Sequence, residues 1–148
     1  MHNAINAFLN TPTYHSCLLL VHPDIARLDS AATELAAAYK WPCLAVGREL
    51  SAALLSEPPA RRSYAACQWL ETQLGQMTPG PALCTEIELL FEPSFSLDPL
   101  AVLRQSSRVT KLVVAWPGNF LDGILSYAVP DHSHYRAWRQ PEVAICCL

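Results

Sequence analysis

The stretch 111-KLVVAWPGN-119 contains the clearest strand signal in the chain. Its four consecutive apolar residues at 112–115 are typical of a strand that is buried on both faces of a sheet. The following Pro-Gly-Asn sequence favours a turn, because proline lacks a backbone donor and glycine is flexible. We therefore predict a strand over residues 111–116 that ends abruptly at Pro117.

Similar short apolar runs alternate with helical patterns along the rest of the chain. The predicted strands cover residues 16–21, 43–46, 82–91 and 142–148, and the predicted helices cover residues 24–39, 50–55, 62–74 and 97–107. Such alternation is typical of a parallel sheet with helices packed on both faces. We therefore predict a three-layer α/β fold with a mostly parallel, five-stranded sheet. A length of 148 residues suits one domain over residues 1–148.

The composition narrows the class of protein. Apolar residues make up 51% of the chain and charged residues 16%, which excludes a disordered segment. The net charge of −3 gives no basic surface for phosphate contacts, so direct DNA or RNA binding is disfavoured. No apolar run approaches the roughly 20 residues of a membrane-spanning helix, and the first residues lack a signal-peptide pattern. We therefore expect a cytoplasmic protein with no membrane partner.

The residues that commonly bind metals do not form a recognisable set. The six cysteines contain no CxxC pair, and the HxH sequence at residues 132–134 has no evident third ligand. We therefore predict no metal site, and cysteines that are reduced and mostly buried.

The loop after the first predicted strand is a common ligand site in an α/β sheet. A nucleotide-binding chain has the sequence GxxxxGK[ST] there, which supplies backbone donors, a lysine and a magnesium-binding hydroxyl. Residues 22–29 instead have the sequence HPDIARLD, without either glycine, the lysine or the hydroxyl. Asp24 and Asp29 add negative charge, and Arg27 is the candidate cation. We therefore predict no bound cofactor, since ATP and magnesium are disfavoured at this loop.

Two glutamates lie at the end of the third predicted strand. Glu86 lies where an ATPase has its water-activating acid, while Thr85 replaces the aspartate that would bind magnesium. Glu88 lies two residues further on, on the same face if the strand continues. The pair could carry out acid–base chemistry or could be a solvated strand end. We assign no catalytic residue and keep Glu86 and Glu88 as candidates.

Several blocks in the second half of the chain carry a family resemblance. They are 88-ELLF-91, 97-LDPL-100, 107-SR-108, 112-LVVAWPG-118 and 125-LSYA-128, followed by His132 and Tyr135. In order and spacing, from about residue 82 to residue 138, they resemble the BrxF family, small P-loop proteins of type 3 BREX phage-defence systems in bacteria. The resemblance implies a P-loop NTPase-like fold, here with a degenerate phosphate loop, and partners among other phage-defence proteins.

The resemblance and the altered loop together favour an accessory subunit that acts through protein–protein contacts. The alternative is a functional NTPase with an unorthodox phosphate loop, in which Arg27 is the cation and Glu86 the base. A third hypothesis is an accessory protein that contacts DNA, which the charge balance disfavours.

Residues 116–138 form the candidate partner surface. This segment is too long for a simple connection and follows the fourth strand at the carboxyl edge of the sheet. Aromatic side chains and arginine carry most of the binding energy in interfaces. We therefore predict partner contacts by Trp116, Tyr127, Tyr135 and Arg136, and the high apolar fraction also suggests contact with a second copy. The alternative is an irregular segment that only covers the sheet edge.

Overall fold

The computed structural model of the chain describes residues 1–12 and 16–148. Within them it contains five α-helices, seven β-strands and three short 3₁₀ segments. The helices are α1 (His2–Asn10), α2 (Ile25–Tyr39), α3 (Val46–Leu54), α4 (Arg62–Gly75) and α5 (Pro99–Ser106). The strands are β1 (Cys17–His22), β2 (Cys43–Ala45), β3 (Ala82–Thr85), β4 (Leu112–Leu121), β5 (Ile124–Tyr127), β6 (Arg136–Arg139) and β7 (Ala144–Cys147). The 3₁₀ segments are Pro59–Arg61, Ile87–Phe91 and Pro93–Phe95.

Five of the strands form a parallel sheet in the order β2-β3-β4-β1-β7. The register aligns Leu18 of β1 with Val113 of β4 and with Ala144 of β7. The strands β5 and β6 extend the far end of β4 as an antiparallel ribbon. The predicted α/β fold with a mostly parallel sheet is confirmed, and the sheet has two strands more than predicted.

Alternate residues of the buried strands face two different helical layers. Leu19 and Val21 of β1 pack in the core beneath α3, α4 and α5, whereas Leu18 and Leu20 pack against α1 and α2. Because side chains alternate along a strand, a strand buried on both faces has to be apolar at every position. This is why unbroken apolar runs identified the sheet.

Aspartate caps set the starts of two helices that border the carboxyl edge and the ribbon. The side chain of Asp24 accepts a hydrogen bond from the backbone N–H of Ala26 at the start of α2. Asp98 accepts one from Ala101 at the start of α5, where Pro99 occupies the first turn. Both caps satisfy backbone donors that have no partner inside the helix.

The predicted strand over residues 82–91 is wrong beyond Thr85. Glu86 has a left-handed backbone conformation with φ of 55°, which ends the pleat of β3. The next residues form the 3₁₀ segment Ile87–Phe91 instead. Glu86 and Glu88 therefore do not share one face of a strand.

The predicted end of the fourth strand at Pro117 is also wrong. β4 continues through Pro117 and Gly118, and the following segment folds back as β5 and β6 instead of remaining irregular. Pro117 contributes its carbonyl, which accepts a hydrogen bond from the N–H of Ala128 at 3.1 Å. A Cβ atom on Gly118 would lie 1.8 Å from the carbonyl oxygen of Ser126, so glycine is required at this approach.

Two further features differ from the sequence prediction. The helix α1 was not predicted, because its buried residues Ile5 and Phe8 form only a short apolar pattern. The six cysteines are free thiols, but only Cys17 and Cys84 are buried, so the prediction that most are buried is wrong.

In the part of the chain that the structure describes, no helix combines the length and the apolar character needed to cross a membrane.

Candidate functional site

The direction of the chain connections reverses at β1. From β1 the chain crosses to β2 at one edge of the sheet, whereas from β4 it continues to β7 on the other side of β1. In α/β sheets, ligands bind in the crevice outside the carboxyl ends of the strands at such a reversal. The loop after β1 and the residues after β3 both lie at this carboxyl edge, which contains the candidates Arg27, Glu86 and Glu88.

The loop after β1 is closed by its own side chains. The Nδ1 atom of His22 accepts a hydrogen bond from the backbone N–H of Asp24 at 2.9 Å. The Oδ1 atom of Asp24 accepts one from the N–H of Ala26, also at 2.9 Å. A phosphate at the start of a helix is held by backbone donors of this kind. Because His22 and Asp24 already use two of them, the loop does not offer an open cradle to an anion.

Arg27 is exposed and shares its surroundings with groups of both charges. It lines a cavity of about 530 Å³ between the starts of α1 and α2, whose wall also includes His2, Asp24 and Glu34. Glu34 is paired with His2 at 2.7 Å, whereas the carboxylate of Asp24 offsets the charge that the guanidinium would offer a polyphosphate. Its location therefore gives little support to Arg27 as a cation for nucleotide binding.

Glu86 is occupied by an ion pair. Its carboxylate lies 3.0 Å from the guanidinium of Arg48, and both side chains are substantially exposed. The chain of α3 comes very close here, because a Cβ atom on Gly47 would lie 2.9 Å from the carbonyl oxygen of Glu86. Exposed ion pairs of this kind contribute little stability. The arrangement pairs the carboxylate of Glu86 with Arg48.

Glu88 is the more unusual of the two glutamates. Burial raises the pKa of its carboxyl group, its own backbone N–H lowers it, and the charges of Asp29 and Glu86 raise it further. The pKa of the Tyr127 hydroxyl is also raised, first by burial and then by the charge of Glu88. A half-buried carboxyl surrounded by like charges can hold a proton at a pH where an ordinary glutamate cannot. The raised pKa makes Glu88 a candidate acid at the carboxyl edge.

Within residues 1–12 and 16–148, no group of three or more histidine, cysteine, aspartate or glutamate residues is arranged to hold a metal ion. Within the HxH sequence, the backbone N–H of His134 donates to Nδ1 of His132 at 2.9 Å. That ring nitrogen therefore stabilises the local turn as a hydrogen-bond acceptor.

Trp116 and Tyr127 belong to an aromatic cluster beneath the antiparallel ribbon. Phe91 stacks on Tyr127 with ring centroids 3.7 Å apart and meets Trp116 edge-on at 5.2 Å. Trp116 is fully buried and Tyr127 almost so. The prediction that these two side chains contact a partner is wrong, because they fill the core where the ribbon covers the sheet.

Tyr135 and Arg136 lie at the surface beside this cluster. They line a cavity of about 460 Å³ between residues 91–98 and residues 133–136, which we call the Tyr135 pocket. Tyr135 is 38% exposed. The guanidinium of Arg136 donates to the carbonyl oxygen of Leu97 and lies 5.1 Å from the ring centroid of Trp138. These contacts hold Arg136 in place at the wall of the pocket.

Sequence reasoning missed the opposite wall of the Tyr135 pocket. Glu92 lies 3.9 Å from Nε2 of His134, and Asp98 accepts a hydrogen bond from the indole N–H of Trp138 at 3.2 Å. These partners are about 40 residues apart, so no local pattern connects them. The sequence contained one signal for this wall: the blocks at 88–91 and 97–100 carry the same family resemblance as Tyr135.

The fold and these contacts define a three-layer α/β domain with a self-capped loop after β1 and a surface pocket beside an antiparallel ribbon. Comparison of the chain with protein-family models, with curated proteins and with solved structures finds no match. The carboxyl edge and the Tyr135 pocket are the two regions of the structure that bear on function.

Proposed function

We propose that the chain is an accessory subunit of a bacterial phage-defence complex of the BREX type. It acts in the cytoplasm through contacts with other defence proteins and does not hydrolyse ATP. The observation that carries this proposal is the closed loop after β1, where His22 and Asp24 accept hydrogen bonds from the N–H groups of Asp24 and Ala26. A parallel α/β sheet whose loop after β1 is closed to phosphate can still serve as a scaffold for protein–protein contacts.

The negative charge of Asp24 also supports a loop that does not bind nucleotide. A carboxylate at the first turn of a helix interacts favourably with the partial positive charge of the helix N-terminus. In α2 that position is taken by Asp24, which is covalently part of the chain. A triphosphate would have to displace this carboxylate and then lie beside it, at an energetic cost from like-charge repulsion.

The Tyr135 pocket supports the part of the proposal that concerns partners. Arg136 is held by Leu97 and by the face of Trp138 before any partner binds. A side chain that is already ordered loses little rotamer entropy on association. An exposed tyrosine beside an ordered arginine is the composition found at energetically dominant interface positions.

The blocks that carry the family resemblance meet at one place in the fold. Phe91, Trp116 and Tyr127 come from three separate blocks and pack in a single aromatic cluster. Asp98 comes from a fourth block and is bonded to Trp138, which also contacts that cluster. The blocks on which the resemblance rests are therefore those that build the ribbon and the Tyr135 pocket.

A second candidate function is hydrolytic chemistry at the carboxyl edge by an NTPase with an unorthodox loop. One observation favours it, the raised pKa of Glu88 in the segment that follows β3. Shifted carboxyl pKa values are frequent at catalytic sites. In this version the acid is Glu88 instead of Glu86, because Glu86 is paired with Arg48.

Two measurements test the proposal. Isothermal titration with ATP and magnesium should show no binding tighter than about millimolar, a free energy near −4 kcal/mol. Micromolar affinity would contradict the accessory role, and its loss in Arg27→Ala would favour the NTPase. In the second measurement the tagged chain is expressed with the products of neighbouring genes, and at least one of these should co-purify with it. Failure to retain any of them would count against a role in a defence complex.

A further inference from the structure

Arg136 brings a positive charge without a carboxylate partner to the wall of the Tyr135 pocket. Its guanidinium donates to the carbonyl oxygen of Leu97 and lies over the ring of Trp138, and both of these groups are neutral. None of the ion pairs formed within residues 1–12 and 16–148 includes Arg136. Because the side chain is only half-buried, its remaining N–H groups are available to a ligand in the pocket.

The two carboxylates of the pocket wall already have partners of their own. Asp98 accepts hydrogen bonds from the N–H of Ala101 at 3.1 Å and from the indole N–H of Trp138 at 3.2 Å. The carboxylate of Glu92 lies 3.9 Å from the ring of His134. In the part of the chain that the structure describes, the guanidinium is therefore the charge in this wall that lacks a partner of opposite sign.

Tyr135 provides a second donor in the same pocket. The side chain is 38% exposed, and its hydroxyl forms no hydrogen bond with any residue that the structure describes. A tyrosine O–H and a guanidinium N–H can both donate to a carboxylate. Hydrogen bonds to a charged acceptor are about twice as strong as those between neutral groups. The pocket thus combines two donors that suit one carboxylate.

We propose that the Tyr135 pocket binds an aspartate or glutamate side chain from a segment of the partner protein. This inference rests on the proposed function, because it names the chemistry of the partner that the accessory subunit contacts. The carboxylate of the partner pairs with the guanidinium of Arg136 and accepts a hydrogen bond from the hydroxyl of Tyr135. Since Leu97 and Trp138 already hold Arg136 in the free chain, little rotamer entropy is lost when the pair forms.

Glu92 and Asp98 restrict the class of anion that the pocket accepts. A nucleic-acid strand would bring several phosphates past these carboxylates, and one guanidinium would not offset the repulsion. The net charge of −3 opposes the approach of a polyanion in the same way. A single acidic side chain needs only the contact with Arg136, while Pro93 and Leu97 in the wall offer apolar contact to its stem. These features favour an acidic protein segment over a nucleic acid.

Titration of the isotope-labelled full chain with capped peptides tests the pocket directly. The probe is acetyl-Gly-Glu-Gly-amide, and the NMR signals of the Tyr135 and Arg136 backbone amides report its binding. These signals should shift with saturation, and the peptide with glutamine in place of glutamate should bind about tenfold or more weakly, because it keeps the shape but not the charge. The peptide with lysine should not bind.

Variants of the chain assign the binding to the two donors. Arg136→Ala should lower the affinity for the glutamate peptide about tenfold or more, and Tyr135→Phe should lower it by removal of the hydroxyl alone. Arg139→Ala is the matched control, because Arg139 is an exposed arginine on the opposite face of β6 and should leave the affinity unchanged. Glu92→Gln removes a repelling carboxylate and should tighten binding.

Several outcomes would overturn the proposal. They are the absence of saturable shifts at millimolar glutamate peptide, a preference for the lysine peptide, weaker binding of the glutamate peptide by Glu92→Gln, and tighter binding of oligothymidylate than of the glutamate peptide. The titration uses the chain alone, so its result is independent of the co-purification test. A chain that retains its partner but does not bind the glutamate peptide would reject the acidic ligand and leave the accessory role in place.

Discussion

The indole N–H of Trp116 donates a hydrogen bond to the carbonyl oxygen of Ser126 at 2.9 Å. This contact joins the end of the parallel part of β4 to the antiparallel strand β5. Both atoms are buried, so neither can exchange its partner for water. The ribbon that carries the Tyr135 pocket is therefore anchored to the sheet by a core side chain, and its position follows from the packing of Trp116.

The first prediction concerns this anchor. Trp116→Phe leaves the Ser126 carbonyl without its donor and creates a cavity beside Phe91. We expect the free energy of unfolding to fall by about 2 kcal/mol or more. Urea denaturation measures this loss. The control is Trp41→Phe, because Trp41 is only half-buried and stacks on Tyr39 at the surface. An equal effect of the two changes would contradict the anchoring role.

The second prediction concerns the cap of α2. Asp24→Ala removes the acceptor for the N–H of Ala26 and should lower the free energy of unfolding by about 1 kcal/mol. Asp24→Asn is the matched control, because asparagine caps a helix about as well as aspartate. Thermal and urea denaturation of the three proteins would distinguish the cap from the charge. If Asp24→Asn lost as much stability as Asp24→Ala, the charge at the helix N-terminus would be the main contribution.

The parallel sheet was predictable because its strands are buried on both faces. That burial requires unbroken apolar runs, which residues 17–21 and 112–115 provide. The end of β3 was not predictable, because nothing in the sequence marks Glu86 as a left-handed residue. The ribbon was missed because Pro117 and Gly118 usually end a strand. Here the proline contributes only its carbonyl and the glycine admits the Ser126 carbonyl.

The candidate site was predictable only in part. The absence of a phosphate loop could be read from residues 22–29, and the structure adds how His22 and Asp24 close it. The raised pKa of Glu88 could not be foreseen, since it depends on burial and on Asp29, which is distant in sequence. Tyr135 and Trp116 look alike as aromatic candidates in the sequence. Only the packing separates the exposed one from the buried one.

The third prediction concerns pH. The pKa of Glu88 is raised in the folded protein above its ordinary value of 4.5, so the folded state binds more protons than the unfolded state above that pH. The free energy of unfolding contributed by this group therefore falls as the pH rises from about the ordinary value through the folded-state pKa. Glu88→Gln removes this dependence and should make the protein more stable at neutral pH.

Denaturation by urea at a series of pH values measures this effect. The difference in unfolding free energy between Glu88→Gln and the parent should grow as the pH increases across that window. Glu71→Gln is the control, because Glu71 is an exposed glutamate on α4 whose charge is not among those that shift the pKa of Glu88. A difference between Glu88→Gln and the parent that does not change with pH would show that the Glu88 carboxyl does not titrate differently on folding.

The fourth prediction concerns the Tyr135 pocket. Tyr135→Ala removes a partly exposed side chain that lies at the surface and not in the core, so the melting temperature should remain unchanged. Truncation of an interface anchor costs about 2 kcal/mol or more, or roughly thirtyfold in Kd. From the proposed role in phage defence we therefore expect weaker co-purification of partner proteins and reduced phage protection in cells. Arg136→Ala should weaken both in the same way and also loosen the wall at Leu97.

Tyr64→Ala is the matched control for this last experiment. Tyr64 is a tyrosine on α4 that is 60% exposed, more than Tyr135, and its hydroxyl accepts a hydrogen bond from Gln68 on the neighbouring turn. If general loss of surface tyrosine mattered, Tyr64→Ala would reduce protection as much as Tyr135→Ala. If the pocket binds the partner, only Tyr135→Ala and Arg136→Ala reduce it, because they alone change the surface between residues 91–98 and 133–136. Full protection by both stable pocket variants would reject this surface.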